Sequence, residues 1–267
     1  MEEDYSNRRD SPRRISLKKK IECYLLIKEI ELNTFKTTYV ESIYNLLAKN
    51  QNANNAIMMK KYMKNQFEFF GIKAPLRRNL TKQIVDKHGI PDELKFKQVI
   101  LELWSLPQRE LQCVAMNLID IRQKKKGIDI ALTEHMITTK SWWDTVDHLA
   151  INHAGAFFVQ NPILIDKVTN LWIESNDIWL KRSALLFQLK YKERTDVELL
   201  FNHIKKCCHT KEFFIDKAIG WALRKYSKLE PKLVLEFIEN HELSSLSRRE
   251  ALKHIEKNLK IQIHSQN

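Results

Sequence analysis

Lys140-Ser141-Trp142-Trp143-Asp144-Thr145-Val146-Asp147-His148 packs two tryptophans and two carboxylates into the opening of a helical pattern. Ser141 with Asp144 matches a capping box, with Ser141 as N-cap and Asp144 at the third helical position. That gives Asp144 a structural task and leaves Asp147 without one. Asp147 follows Trp143 by four residues, so on a helix the two side chains share a face. An indole beside an unassigned carboxylate is a chemical pair; the competing reading makes Trp143 core and Asp147 a solvated acid. Helices expected to begin at Ser141, Asn176 and Lys211 are spaced 35 residues apart. A recurring helix start of that spacing is near the period of HEAT-type repeats.

The rest of the chain agrees with that period. Gly and Pro are scarce, 5 and 6 in 267 residues, where a sheet of this size needs many tight turns. The hydrophobic fraction of 43% suffices for a folded core. From Thr38 onward amphipathic segments of helical length alternate with short breaks. They run from Tyr39 to Lys49 and Asn54 to Asn65, then from Pro75 to His88 after a break at Phe67-Glu68-Phe69-Phe70-Gly71. Pro91 to Leu106, Pro107 to Lys126 and Ile128 to Thr139 follow. The Ser141 helix runs to Gln160, and Asn161-Pro162 starts the next. Asn176 to Lys192, a capping box at Thr195 and Glu198, Lys211 to Lys228, Pro231 to Glu242, and a third box at Ser247 and Glu250 complete the series. The expected fold is all-α, a right-handed solenoid of HEAT-like helix pairs whose second helices line one basic concave face. The expected domains are an N-terminal extension, 1–35, carrying one helix from Ile15 to Leu32, and a repeat body, 36–262.

The formal net charge is +12. Residues 1–35 hold eight Lys/Arg against seven Asp/Glu, so the body carries +11. A folded body this basic suits a polyanion, most simply nucleic acid. No long uncharged apolar run suggests a membrane span. The start of the chain is charged throughout and reads as no secretory signal. Cys23, Cys113, Cys207 and Cys208 form no CxxC pair and no disulfide framework, which fits a reducing, intracellular compartment. Arg8-Arg9, Arg13-Arg14 and Lys18-Lys19-Lys20 fit either a nuclear address or a solvated tail.

The three equivalent helices carry a strip of aromatics and cations: Trp143 and Asp147; Trp179, Arg182 and Lys190; Lys217, Trp221, Arg224 and Lys225. Cations attract phosphates, and sugars or bases pack on indole faces. Trp104, Trp142 and Trp172 are expected in the core. His203-Ile204-Lys205-Lys206-Cys207-Cys208-His209 lacks metal-site spacing and reads as two buried thiols and two surface histidines. Neither a phosphate loop nor a dinucleotide fingerprint occurs, so no cofactor and no metal are expected.

The chain resembles the AlkD family of DNA alkylation-repair glycosylases. The resemblance rests on Tyr62-Met63-Lys64-Asn65, Gly71-Ile72 to Arg77-Arg78, Lys140 to Asp147, Leu180 to Lys192, Lys211 to Tyr226 and Leu246 to Ile255, in order along the chain. It implies a solenoid that excises N3-methyladenine and N7-methylguanine from duplex DNA without turning the lesion into a deep pocket. It implies Asp147 as the catalytic carboxylate, with Trp143 and Trp221 packing on the lesion's deoxyribose. It implies Arg182 on the DNA backbone and Tyr62, Lys190 and Arg224 as further DNA contacts. Residues 1–35 have no counterpart, and Leu149-Ala150-Ile151-Asn152-His153 matches less well than its flanks. The expected protein is a monofunctional, monomeric glycosylase acting in a bacterial cytoplasm or nucleoid or a eukaryotic nucleus. Two alternatives stand beside it: a non-catalytic HEAT-type scaffold for protein or DNA, and a DNA-structure binder that has lost catalysis.

Overall fold

The computed structural model describes residues 38–123 and 129–264. The expected extension, its helix, its basic doublets and Cys23 lie outside the described residues. Among those described, the regular elements are helical, and a lone β-bridge pairs Glu68 with Gln108. In chain order they are α1 (Thr38–Lys49), α2 (Ala53–Tyr62), α3 (Ala74–His88), α4 (Glu93–Ser105), α5 (Arg109–Gln123), α6 (Ile130–Thr138) and α7 (Trp143–His148). A π-helical turn (Leu149–Ala154) joins α7 to α8 (Gly155–Gln160). Then come α9 (Ile165–Glu174), α10 (Ile178–Leu186), α11 (Val197–Cys207), α12 (Phe213–Tyr226), α13 (Pro231–Asn240) and α14 (Ser245–His264).

Eleven of these fourteen helices form two rows, an α-solenoid of HEAT-like pairs. One row is α3, α5, α7, α10, α12 and α14, recurring at roughly 35 residues, with each packed on the next. The other is α4, α6, α9, α11 and α13. Aromatic side chains stitch that second row together. Trp104 Nε1 donates to the Thr139 carbonyl at 3.1 Å, Trp172 Nε1 donates to Glu134 at 2.8 Å, and Phe201 stacks on Phe237 at 4.0 Å. Trp104 and Trp172 are core residues, as expected. A buried indole needs such a partner for its N–H, and both have one.

Sequence spacing explains the packing of the site-bearing row. In α12, Ile215, Ala218, Ile219, Ala222 and Leu223 are buried at steps of three and four. Burying Ile215, Ile219 and Leu223 contributes about 1.5–3 kcal/mol each. That outweighs the roughly 1 kcal/mol which a mid-helix glycine such as Gly220 costs. The glycine is there because α14 passes close by: a Cβ on Gly220 would stand 2.4 Å from Glu250 Cβ and 2.9 Å from the Ser247 carbonyl.

The break before α3 has its own logic. Phe70, Gly71 and Ile72 point their backbone N–H groups at the buried Glu110 carboxylate, at 3.1, 2.8 and 3.0 Å. Gly71 has φ 83°, and a Cβ there would lie 2.0 Å from the Asn52 carbonyl. Only glycine fits that loop.

All three expected capping boxes are corrected. Ser141 donates to the Ile137 carbonyl at the end of α6, and Trp142 is the backbone N-cap of α7 without a side-chain cap bond. Asp196, not Thr195, caps α11 by accepting from Leu199 N. Ser244 accepts from Ser247 N at the start of α14, while Ser247 lies within the helix and donates to the Asp216 carbonyl. In each case a neighbouring side chain or an inter-repeat bond took precedence over the local pattern. First-turn prolines at Pro75, Pro162 and Pro231 stand where the sequence puts them.

Candidate active site

Asp147 lies on α7, with its side chain 16% exposed. Arg182 from α10 meets it in a two-pronged pair: Nε to Oδ1 at 2.7 Å and Nη2 to Oδ2 at 2.9 Å. The third arm of the guanidinium, Nη1, donates to the Phe214 carbonyl at the start of α12. One buried arginine thus ties three successive helices of the row together. A fork of this kind fixes the orientation of both planar groups. Each carboxylate oxygen keeps a lone pair for another donor, and two of the five guanidinium N–H bonds remain.

Burial pushes the Asp147 carboxyl above its ordinary value. The Arg182 bond and charge oppose that shift, and the nearby Asp144 charge adds to it. Asp144 has its own arginine. Arg109 from α5, itself 1% exposed, donates through Nε to Oδ2 at 3.0 Å and through Nη2 to Oδ1 at 2.6 Å. Its remaining bonds go to the Lys140 carbonyl and to Thr145 Oγ1, both at 2.8 Å, and its face covers Phe67 at 3.8 Å. Asp144 is therefore an inter-repeat tie rather than a helix cap. Lys140, at φ 47°, reaches the Ser105 and Leu106 carbonyls where α4 ends.

Arg109 and the role of Asp144 went unforeseen, although a signal existed. Arg109 precedes Asp144 by 35 residues and Arg182 follows Asp147 by 35. One repeat in each direction supplies the partner of each carboxylate.

The aromatic surroundings are built from the same row and from α2. Trp143, half-buried, presents its ring to Tyr62 in an edge-on contact, 6.0 Å between centroids. Tyr62 is 69% exposed at the end of α2, so this pair faces solvent. Trp221 is half-buried on α12, two turns beyond Phe214 and so on the same helix face. Trp142 is half-buried rather than core. Its ring packs on Trp179 and Phe214 at 5.8 and 5.2 Å, and those two lie 4.8 Å apart. Trp179 is therefore a packing partner beneath the site.

The cations differ in their freedom. Lys190 is exposed, and its ammonium donates to Asn152 Oδ1 on the π-turn. Arg224 and Lys217 both bind Glu250, each at 2.9 Å, and Lys253 joins them at 2.6 Å. The bonds from Lys253 and Lys217 hold the Glu250 carboxyl down at about 2. Arg224 stays 31% exposed and Lys217 39%, so the cluster remains a positive surface around one acid.

The His203 to His209 stretch needs one correction. His203 is buried, with its ring against the Ala184 carbonyl and Thr169, while His209 is exposed. Cys207 and Cys208 are buried as expected, and burial pushes the Cys207 thiol up to about 12. No helix among the described residues is long and apolar enough to cross a membrane.

A carboxylate in a half-buried site, oriented by an arginine and flanked by an exposed aromatic pair, can stabilise positive charge and hold a water. The family model of the DNA alkylation repair enzyme matches residues 43–255. Among solved structures, the "Predicted DNA alkylation repair enzyme from Enterococcus faecalis" superposes with a TM-score of 0.71 at 34% identity, over 76% of this chain and 96% of that one. No curated protein matches.

Proposed function

We propose, from the premise that this chain belongs to the DNA alkylation repair enzyme family, that it is a monofunctional DNA glycosylase. Its substrates are cationic alkylpurines in duplex DNA, N7-methylguanine and N3-methyladenine, and its product is an abasic site. The observation that carries the reading is the half-buried Asp147, held in orientation by Arg182 one turn along from Trp143.

Alkylation at N7 or N3 gives the purine a positive charge, so the base leaves as a neutral molecule. Protonation of the leaving group is dispensable. What remains is an oxocarbenium-like sugar and the water that attacks it. Asp147 serves both, by stabilising the charge and by accepting a hydrogen bond from the water on a lone pair that Arg182 leaves free. Trp143 and Trp221 add cation–π stabilisation of roughly 0.5–2 kcal/mol each. Arg182 acts first as a positioning residue, and its two remaining N–H donors are available to a phosphate. Tyr62, Lys190 and Arg224 bind the DNA backbone around the lesion. The catalytic body spans 36–262, after the 1–35 extension, and works as an intracellular monomer.

The test is single-turnover excision on a duplex with one N7-methylguanine, read by cleavage at the abasic site. Wild type cuts. Asp147→Asn, which keeps one acceptor for Arg182, binds the duplex without cutting. The loss is about 10²-fold or more, the scale of removing one preorganised electrostatic group. Uracil-containing DNA is left intact by both. Wild type that binds lesion DNA without cutting would reduce the protein to a binder. Wild type that does not bind DNA would move the scaffold alternative to the front.

A further inference from the structure

His148 and His153 are five residues apart. On an α-helix that spacing turns side chains about 140° away from each other. Here the π-turn Leu149–Ala154 intervenes, and in a π-turn residues i and i+5 are the bonded neighbours. The two imidazoles come together, with ring centroids 5.2 Å apart and planes perpendicular. Both Nε2 atoms aim at one carboxylate, Asp120 on α5. Each lies 3.0 Å from Asp120 Oδ1, and His148 also lies 3.0 Å from Oδ2.

We propose that Asp120, His148 and His153 form a binding site for one tetrahedral transition-metal dication of the zinc class. The three ligand atoms lie within 4.8 Å of one another. A tetrahedral zinc site with ligands at about 2.0–2.1 Å has edges of roughly 3.3 Å, so the observed N–O separations need to open by only a few tenths of an ångström. Two imidazole nitrogens and one carboxylate suit zinc and its neighbours and exclude the oxygen-seeking magnesium and calcium. Three protein ligands leave the fourth position to water.

The surroundings favour the same reading. His153 is fully buried, which holds its ring in place with Nε2 on Asp120. Asp120 and His148 are 30% and 29% exposed, which gives an ion its entry. The bound ion clamps the turn that follows Asp147 onto α5, the helix whose first residue, Arg109, already holds Asp144.

The experiment uses the full chain, freed of any histidine tag and dialysed against chelator. It is titrated with cobalt(II) and followed by visible absorption. The expected result is one equivalent bound with the strong d–d bands of a tetrahedral site, displaced by zinc, and a higher thermal midpoint with zinc present. His148→Gln and Asp120→Asn each weaken cobalt binding by about a hundredfold or more, while His209→Gln leaves it unchanged. Circular dichroism confirms that each variant is folded, and either variant alone suffices. Weak octahedral bands, no stoichiometric binding, or a spectrum that persists in the folded variants would overturn the site. The three residues would then be a hydrogen-bonded clasp and nothing more.

Discussion

At Asp147 two forces of opposite sign meet. Burial disfavours the charge, Arg182 favours it, and the balance lies above the ordinary 3.8. The working form is the carboxylate, so excision is present above the folded-state pKa and lost as pH falls through it. The single-turnover rate on N7-methylguanine DNA should show an acid limb with an apparent pKa above 3.8. Arg182→Met removes the opposing influence and moves that limb further up, while Arg182→Lys restores part of the shift. A limb that does not move in Arg182→Met would mean that the pair does not tune the reacting carboxyl. The same shift has a consequence for stability. A carboxyl raised in the folded state stabilises the fold most when protonated, so ionised Asp147 is a small cost at neutral pH. Such a cost is common where side chains are arranged for chemistry.

The helices themselves were readable because their burial periodicity is strong and their prolines stand at first turns. The capping boxes were not, because a cap is a choice between neighbouring side chains that differ by about 1 kcal/mol. Asp196 beside Thr195, and Ser244 upstream of Ser247, decide that choice in three dimensions. Asp144 was hidden for a related reason: its arginine lies a full repeat away, where local spacing rules do not reach. The π-turn was hidden as well, although the segment from Leu149 to His153 is where the family pattern fades. What a helix row demands of its residues can be tested at Gly220. Alanine would favour α12 by about 1 kcal/mol in propensity. Its Cβ, however, would stand 2.4 Å from Glu250 Cβ on α14. Overpacking of that kind costs about 1–3 kcal/mol. Gly220→Ala should therefore lower the urea midpoint at unchanged slope. A midpoint equal to wild type or higher would show that α12 and α14 have room to separate.

Over the entire chain the informative quantity is charge. The +12 formal charge resides almost wholly outside residues 1–35. Yet several of the cations first read as phosphate contacts are engaged by acids: Arg182 with Asp147, and Arg224 and Lys217 with Glu250. Lys190 is different: its ammonium donates to the neutral amide of Asn152. It can leave that bond for a phosphate without stranding a buried charge. On duplex DNA each neutralised phosphate adds about 0.9 to the slope of log binding constant against log salt. Lys190→Gln should thus lower that slope by about one and weaken lesion-bearing and undamaged duplexes alike, because a phosphate contact carries no base information. Asp147→Asn should leave the slope unchanged while abolishing excision. Fluorescence anisotropy on both duplexes over a range of salt separates the two effects. A slope identical to wild type in Lys190→Gln would place the DNA elsewhere on the solenoid, and with it the surface on which the repair reading depends.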